Sequence, residues 1–147
     1  MKFKHILVPT DFGHASQAAI DAALSLASAF DADVTLLHVW EVPVYPYMEF
    51  MLASTELTAS VEQAASKRLA QEVERVQKQL PRTKSSLKMG PPWQTIIEAY
   101  QDLHADLIVV GTHGRQGLNH LVLGSVAEKV VRFSKVPVLT IHPDKPA

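Results

Sequence analysis

The chain has 147 residues, fourteen basic and fifteen acidic side chains, and no cysteine. A length of this order suits one domain, residues 1–147, burying roughly 70% of its unfolded surface without a covalent staple. The missing thiols exclude a disulfide framework and thiolate metal sites, and the formal charge of −1, with no block of Lys or Arg, argues against a nucleic-acid partner.

Ile6-Leu7-Val8 is a short apolar run closed by Pro9, which reads as a buried first strand. The basic residues before it flank an apolar run too short for a signal peptide, and no stretch approaches a membrane span, so a soluble cytoplasmic protein is expected. Thr10-Asp11-Phe12-Gly13 is a turn. From about Ser16 to Phe30, apolar residues at Ala19, Ile20, Ala23, Leu24, Ala27 and Phe30 keep a helical period. Val34 to Val39 is a second strand, so a right-handed parallel crossover is predicted.

The stretch from Trp40 to about Glu56 is read as a loop folded back onto the core. Pro43 and Pro46 oppose regular structure, yet Val44, Tyr45, Tyr47, Met48 and Phe50 are too apolar for a solvated linker. A flap over a site or a docking surface are the alternatives. Leu57, Val61, Ala64, Ala65, Leu69, Val73, Val76 and Leu80 then mark the clearest helix, ended by Pro81. Ser85 to Met89 is a weak strand suited to a sheet edge. After Gly90-Pro91-Pro92, residues Trp93, Ile96, Ile97, Tyr100 and Leu103 form another helical stripe, with the prolines at its start.

Leu107-Ile108-Val109-Val110 is apolar at every position, as a strand covered on both faces requires. It runs into Gly111, Gly114 and Gly117 and ends at Gly124-Ser125, where a helix begins. Strand, glycine loop and helix start form an arrangement in which backbone N–H groups can hold a phosphate. Pro137 to Ile141 is a last strand. Five strands alternating with four helices predict a doubly wound, Rossmann-like α/β domain. Its expected form is an open parallel sheet of order 3-2-1-4-5 with helices on both faces. At the switch point of such a sheet, the turn at Pro9, Thr10 and Asp11 faces the loop from Gly111 to Ser125 across one crevice.

Other signatures are missing from the sequence. There is no G-x-x-x-x-G-K-[ST], no G-x-G-x-x-G, no zinc pattern and no G-x-S-x-G elbow. Gly111-x-x-Gly114, nine residues, then Gly124-Ser125 resembles the nucleotide-binding signature of the universal stress protein family, in its ATP-binding branch. The resemblance also rests on HILVPTDF, DVTLLHV, ADLIVVGTHGRQG, LGSVAEKVV and PVLTI, and so spans nearly the whole chain.

The resemblance implies an adenine-nucleotide-binding regulatory protein of the stress response, taking ATP, ADP or AMP, and a homodimer through the last strand at Val138, Leu139 and Ile141. Pro9, Thr10 and Asp11 are then the first nucleotide-contacting turn. Val39 meets adenine with its backbone, and Trp40 is expected at the rim of that pocket. Val110, Gly111 and Gly114 approach ribose and phosphate with Arg115 beside them, and Gly124, Ser125, Val126 and Ala127 cradle the phosphates. Asp11 has two functional readings, on a ribose hydroxyl or on Mg²⁺ at the phosphates, and a third as a cap of the first helix. Ser125-Val126-Ala127-Glu128 also reads as a capping box that needs no ligand. Arg115 is alternatively a solvated loop charge. A dedicated enzyme is not expected, since the loop offers no Glu, Asp or Gln in an evident position to orient water other than Gln116. The rival readings are a slow ATPase or self-phosphorylating enzyme, and a nucleotide-free interaction module.

Overall fold

A computed structural model describes residues 1–42, 50–112 and 123–144, with residues 50–54 described by their backbone alone. The elements are β1 (His5–Pro9), α1 (His14–Phe30), β2 (Asp33–Trp40), α2 (Phe50–Gln77), β3 (Lys84–Met89), α3 (Pro92–Asp102), β4 (Leu107–Gly111), α4 (Ser125–Phe133) and β5 (Val138–Ile141). The sheet has the predicted order, β3-β2-β1-β4-β5, and every neighbouring pair is parallel.

The strands that read as unbroken apolar runs are the central ones. Ile6, Leu7, Val8, Ile108 and Val109 are wholly buried, because helices cover both faces there. Alternation along β1 and β2 divides the core in two. Ile6, Val8, Val34 and Leu36 pack toward α1 and α2, with Ile20, Leu69, Val73 and Val76. Leu7 and Leu37 pack toward α3 and α4, with Ile96, Tyr100 and Val130. β3 and β5 are the edges, and their burial is accordingly partial.

Two helix starts differ from the sequence reading. α1 opens at His14, two residues before Ser16, which is within ordinary fraying of a helix end. The larger difference is α2, which starts at Phe50, so the second half of the expected loop is helix. The helix breakers end at Pro46, and extending a formed helix by two turns is cheap once its later turns are packed. Ser54, Thr55, Thr58 and Ser60 are weak helix formers and disguise that extension. Residues 43–49, on which the flap and docking readings of that stretch fall, lie outside the described residues.

α1 stops at Asp31, which is left-handed (φ 56°) and donates its N–H to the Ala27 carbonyl. Arg82 ties this corner to the next strand. It pairs with Asp31 at 2.8 Å and Asp33 at 3.1 Å and donates to the Ala32 carbonyl. Among the described residues no helix is long and apolar enough to cross a membrane.

Candidate functional site

β1 and β4 are neighbours in the sheet, and the chain leaves them toward opposite faces, α1 on one and α4 on the other. A cleft of about 310 Å³ opens at their carboxyl ends. Ten of the twelve expected site residues line it: Pro9, Thr10 and Asp11 from the first turn, Val39 from β2, Val110 and Gly111 from β4, and Gly124, Ser125, Val126 and Ala127 from the start of α4. The other two, Gly114 and Arg115, lie outside the described residues.

The first turn is built from short-range bonds. Asp11 accepts from the Gly13 N–H at 2.8 Å and from the Ser16 hydroxyl at 2.7 Å, while the Ser16 Oγ accepts the Asp11 N–H at 3.1 Å. Thr10 continues the ladder by donating its N–H to the Leu37 carbonyl at 2.8 Å. Its hydroxyl accepts the Phe12 N–H at 3.0 Å. Asp11 therefore does not cap α1 as the simple capping reading supposed. The cap position belongs to Gly13, which has no side chain for the task, and Asp11 reaches that cap residue's own N–H instead. Asp11 is the one charged side chain among the described lining residues.

The opposite wall is the N-terminus of α4. Gly124 occupies the cap position, with φ −57° and ψ 151°, and donates its N–H to the Thr112 carbonyl. Ser125 is thus the first helical residue and makes no side-chain cap bond. This overturns the capping-box reading, because that box needs the serine one position earlier. Glu128, its presumed partner, pairs with Arg132 at 2.7 Å. The N–H groups of Ser125, Val126 and Ala127 have no intrahelical acceptor and carry the positive end of the helix dipole. That end of the cleft favours an anion.

Gly111 has a reason of its own to be glycine. A Cβ there would lie 2.6 Å from both the carbonyl carbon and the oxygen of Ala15. The close approach is thus to the first turn of α1, quite apart from any ligand.

Five lining residues were not singled out in the sequence: Ser16, Leu37, Pro92, Ile96 and Thr112. Leu37 and Ile96 join Val39, Val110 and Val126 as apolar wall. Thr112 is wholly buried and ties the end of β5 to the start of α4, through its N–H to Ile141, its carbonyl to Gly124 and its hydroxyl to His142 Nδ1 at 2.9 Å. Its place directly after Gly111 was the available signal. Trp40 is not at the rim. It is 7% exposed and, by alternation from Val34 and Leu36, turns to the α1–α2 side. Trp93 lies on the cleft's side of the sheet, stacked on Phe133 with centroids 4.8 Å apart. Among the described residues there is no cluster of three or more potential metal-ligating side chains.

The family model described as the universal stress protein family matches residues 2–142. A universal stress protein of Methanocaldococcus jannaschii, MJ0531, is 32% identical over 97% of this chain and 84% of its own length. Among solved structures, the universal stress protein UspA of Lactobacillus plantarum superposes with a TM-score of 0.83. It is 28% identical, and the match covers 96% of this chain and 99% of that one. A universal stress family protein of Arabidopsis thaliana with AMP bound shares the fold at a TM-score of 0.66. There the identity is 20%, over 96% of this chain and 92% of that one.

Proposed function

The chain belongs to the universal stress protein family, and on that footing we propose that its cleft binds an adenine nucleotide, ATP in particular, and that the protein works as a regulatory binding module. One observation carries the reading. Residues chosen from two distant motifs, Pro9 to Asp11 and Gly124 to Ala127, line the same cleft. Its apolar walls suit a base and the bare N–H groups of α4 suit phosphate. The AMP held by the Arabidopsis relative directs the choice toward adenine. Mg²⁺ commonly takes one or two carboxylates beside substrate phosphates. Asp11 would supply one, and the ion would neutralise phosphate charge.

The test is extraction of nucleotide from the purified protein, followed by calorimetry with ATP, ADP and AMP. A dissociation constant on the order of micromolar is expected for ATP, with no phosphate release beyond a slow background. Gly114→Val should abolish the heat, by setting a branched side chain where the loop motif needs bare backbone. Equal heats for both proteins would refute the site, and steady turnover would replace the binding module by an ATPase.

The same reading includes a homodimer through β5. Val138, Leu139 and Ile141 lie on an edge strand, and Leu139 is exposed. An unpaired apolar edge invites association, and a two-fold pairing covers it in both copies. Light scattering should give twice the chain mass, and Leu139→Lys should halve it. A wild-type mass equal to one chain refutes the pairing.

A further inference from the structure

Behind the Thr10–Gly13 turn, on the α1–α2 side of the sheet, lies a second cleft. α2 presents Arg68, Gln71, Glu72 and Arg75 to it, at spacings of three and four along one helix side. Glu72 is taken by Arg75, whose Nη2 and Nε donate to its two oxygens at 2.8 and 3.3 Å. Arg68 is used differently. Its guanidinium carbon stands 4.7 Å from the centroid of the Phe12 ring. That ring also packs on the His38 imidazole, with centroids 4.4 Å apart. His38 in turn donates from Nδ1 to the Thr10 carbonyl at 2.8 Å.

Phe12 has φ 64°, in the left-handed region that a bulky residue enters only when its surroundings impose it. Glycine would take this conformation without resistance. The chain instead places an aromatic ring here, between the two residues that display the front cleft's polar groups and the glycine that caps α1. Its ring is engaged from one side of the chain by α2 and from another by β2.

We infer that Arg68, Phe12 and His38 form a positioning stack that holds, from behind, the turn presenting Thr10 and Asp11 to the nucleotide cleft. Arg68 does not line that cleft and acts through Phe12. The inference rests on the nucleotide reading for its functional consequence and on the stack alone for its mechanical one.

Three variants and one control separate the possibilities. Phe12→Gly removes the ring while suiting the backbone, Arg68→Met keeps an apolar stem without the charge, and Arg68→Lys restores a cation. Hydrogen exchange is followed at the Phe12 and Gly13 amides, which donate within the turn. ATP affinity is measured by calorimetry, and melting confirms folding. The Phe12 and Gly13 amides should exchange faster in Phe12→Gly and Arg68→Met. ATP should bind about two- to fivefold more weakly to Arg68→Met and about tenfold more weakly to Phe12→Gly. Arg68→Lys should lie near wild type, and Gln71→Ala, on the same helix side but outside the stack, should change neither readout. Wild-type protection and affinity in folded Phe12→Gly would overturn the inference, since the turn would then be held by its own hydrogen bonds. Wild-type protein that takes no nucleotide would sink the functional reading, while amide exchange would still decide whether the stack holds the turn.

Discussion

Gly111→Ala should lower the stability of the protein by about 1–3 kcal/mol, the usual cost of forcing extra atoms into a packed region. For a chain of this size that is a fall in melting temperature of roughly 3–10 °C. The cause is steric. The new methyl would sit 2.6 Å from the Ala15 carbonyl carbon and oxygen and 2.9 Å from its Cβ. Those are backbone and near-backbone atoms, so relief requires α1 to move off the sheet. Gly13→Ala is the internal control. Its methyl would meet the Asp11 Oδ1 at 2.8 Å, a side-chain atom that can rotate away. The loss there should be smaller, because only the two bonds that this oxygen accepts are disturbed and no backbone has to move, about 1 kcal/mol. Since α1 and Gly111 both border the cleft, Gly111→Ala should also weaken ATP. Thermal melts of the two variants check this, and equal melting temperatures for Gly111→Ala and wild type would show that α1 yields freely.

Ser125→Asp should move stability and binding in opposite directions. Ser125 is the exposed first residue of α4, and its hydroxyl caps nothing. A carboxylate there complements the helix dipole and should add about 0.3–1 kcal/mol of stability. The same carboxylate would stand at the end of the cleft assigned to phosphate. Repulsion at such range through partly screened surroundings should weaken ATP by about tenfold or more. Ser125→Ala should leave stability close to wild type, whereas loss of a working capping box would cost about 0.5–2 kcal/mol. Calorimetry and thermal melts on the two variants give both quantities. Unchanged ATP affinity in Ser125→Asp would place the phosphates elsewhere.

These two residues illustrate how much of the protein is written in the order of its residues. The sheet was legible because burial on both faces leaves an unbroken apolar run, as at Ile6 to Val8 and Leu107 to Val110, and because polar edge strands such as Ser85 to Met89 break that rule. Alternation with helical stripes then pointed to the doubly wound class, and the order 3-2-1-4-5, taken by analogy with that class, is the one the sheet has. The cleft was legible at its two motifs, since turn chemistry is local and Pro9, Thr10, Asp11, Gly124 and Ser125 carry it in their own side chains or lack of them.

What needed the tertiary structure was every feature in which the partner is remote in sequence. Leu37 and Ile96 became cleft wall only when β2 and α3 were laid side by side, and in the sequence each is one more apolar position of a periodic element. Gly111 looked like a residue cleared for a ligand, but Ala15, ninety-six positions earlier, is what its missing Cβ accommodates. Ser125 looked like a cap because the spacing to Glu128 was right. The backbone bond from Gly124 to Thr112 placed the cap one residue earlier, and that choice depends on where β4 ends. Trp40 followed the face set by strand alternation, which a residue at a strand's end shows only once the strand's full length is known. Local interactions are fixed within a few residues and leave their mark there, whereas close approach, register and the faces of the sheet depend on distances that the chain acquires only by packing.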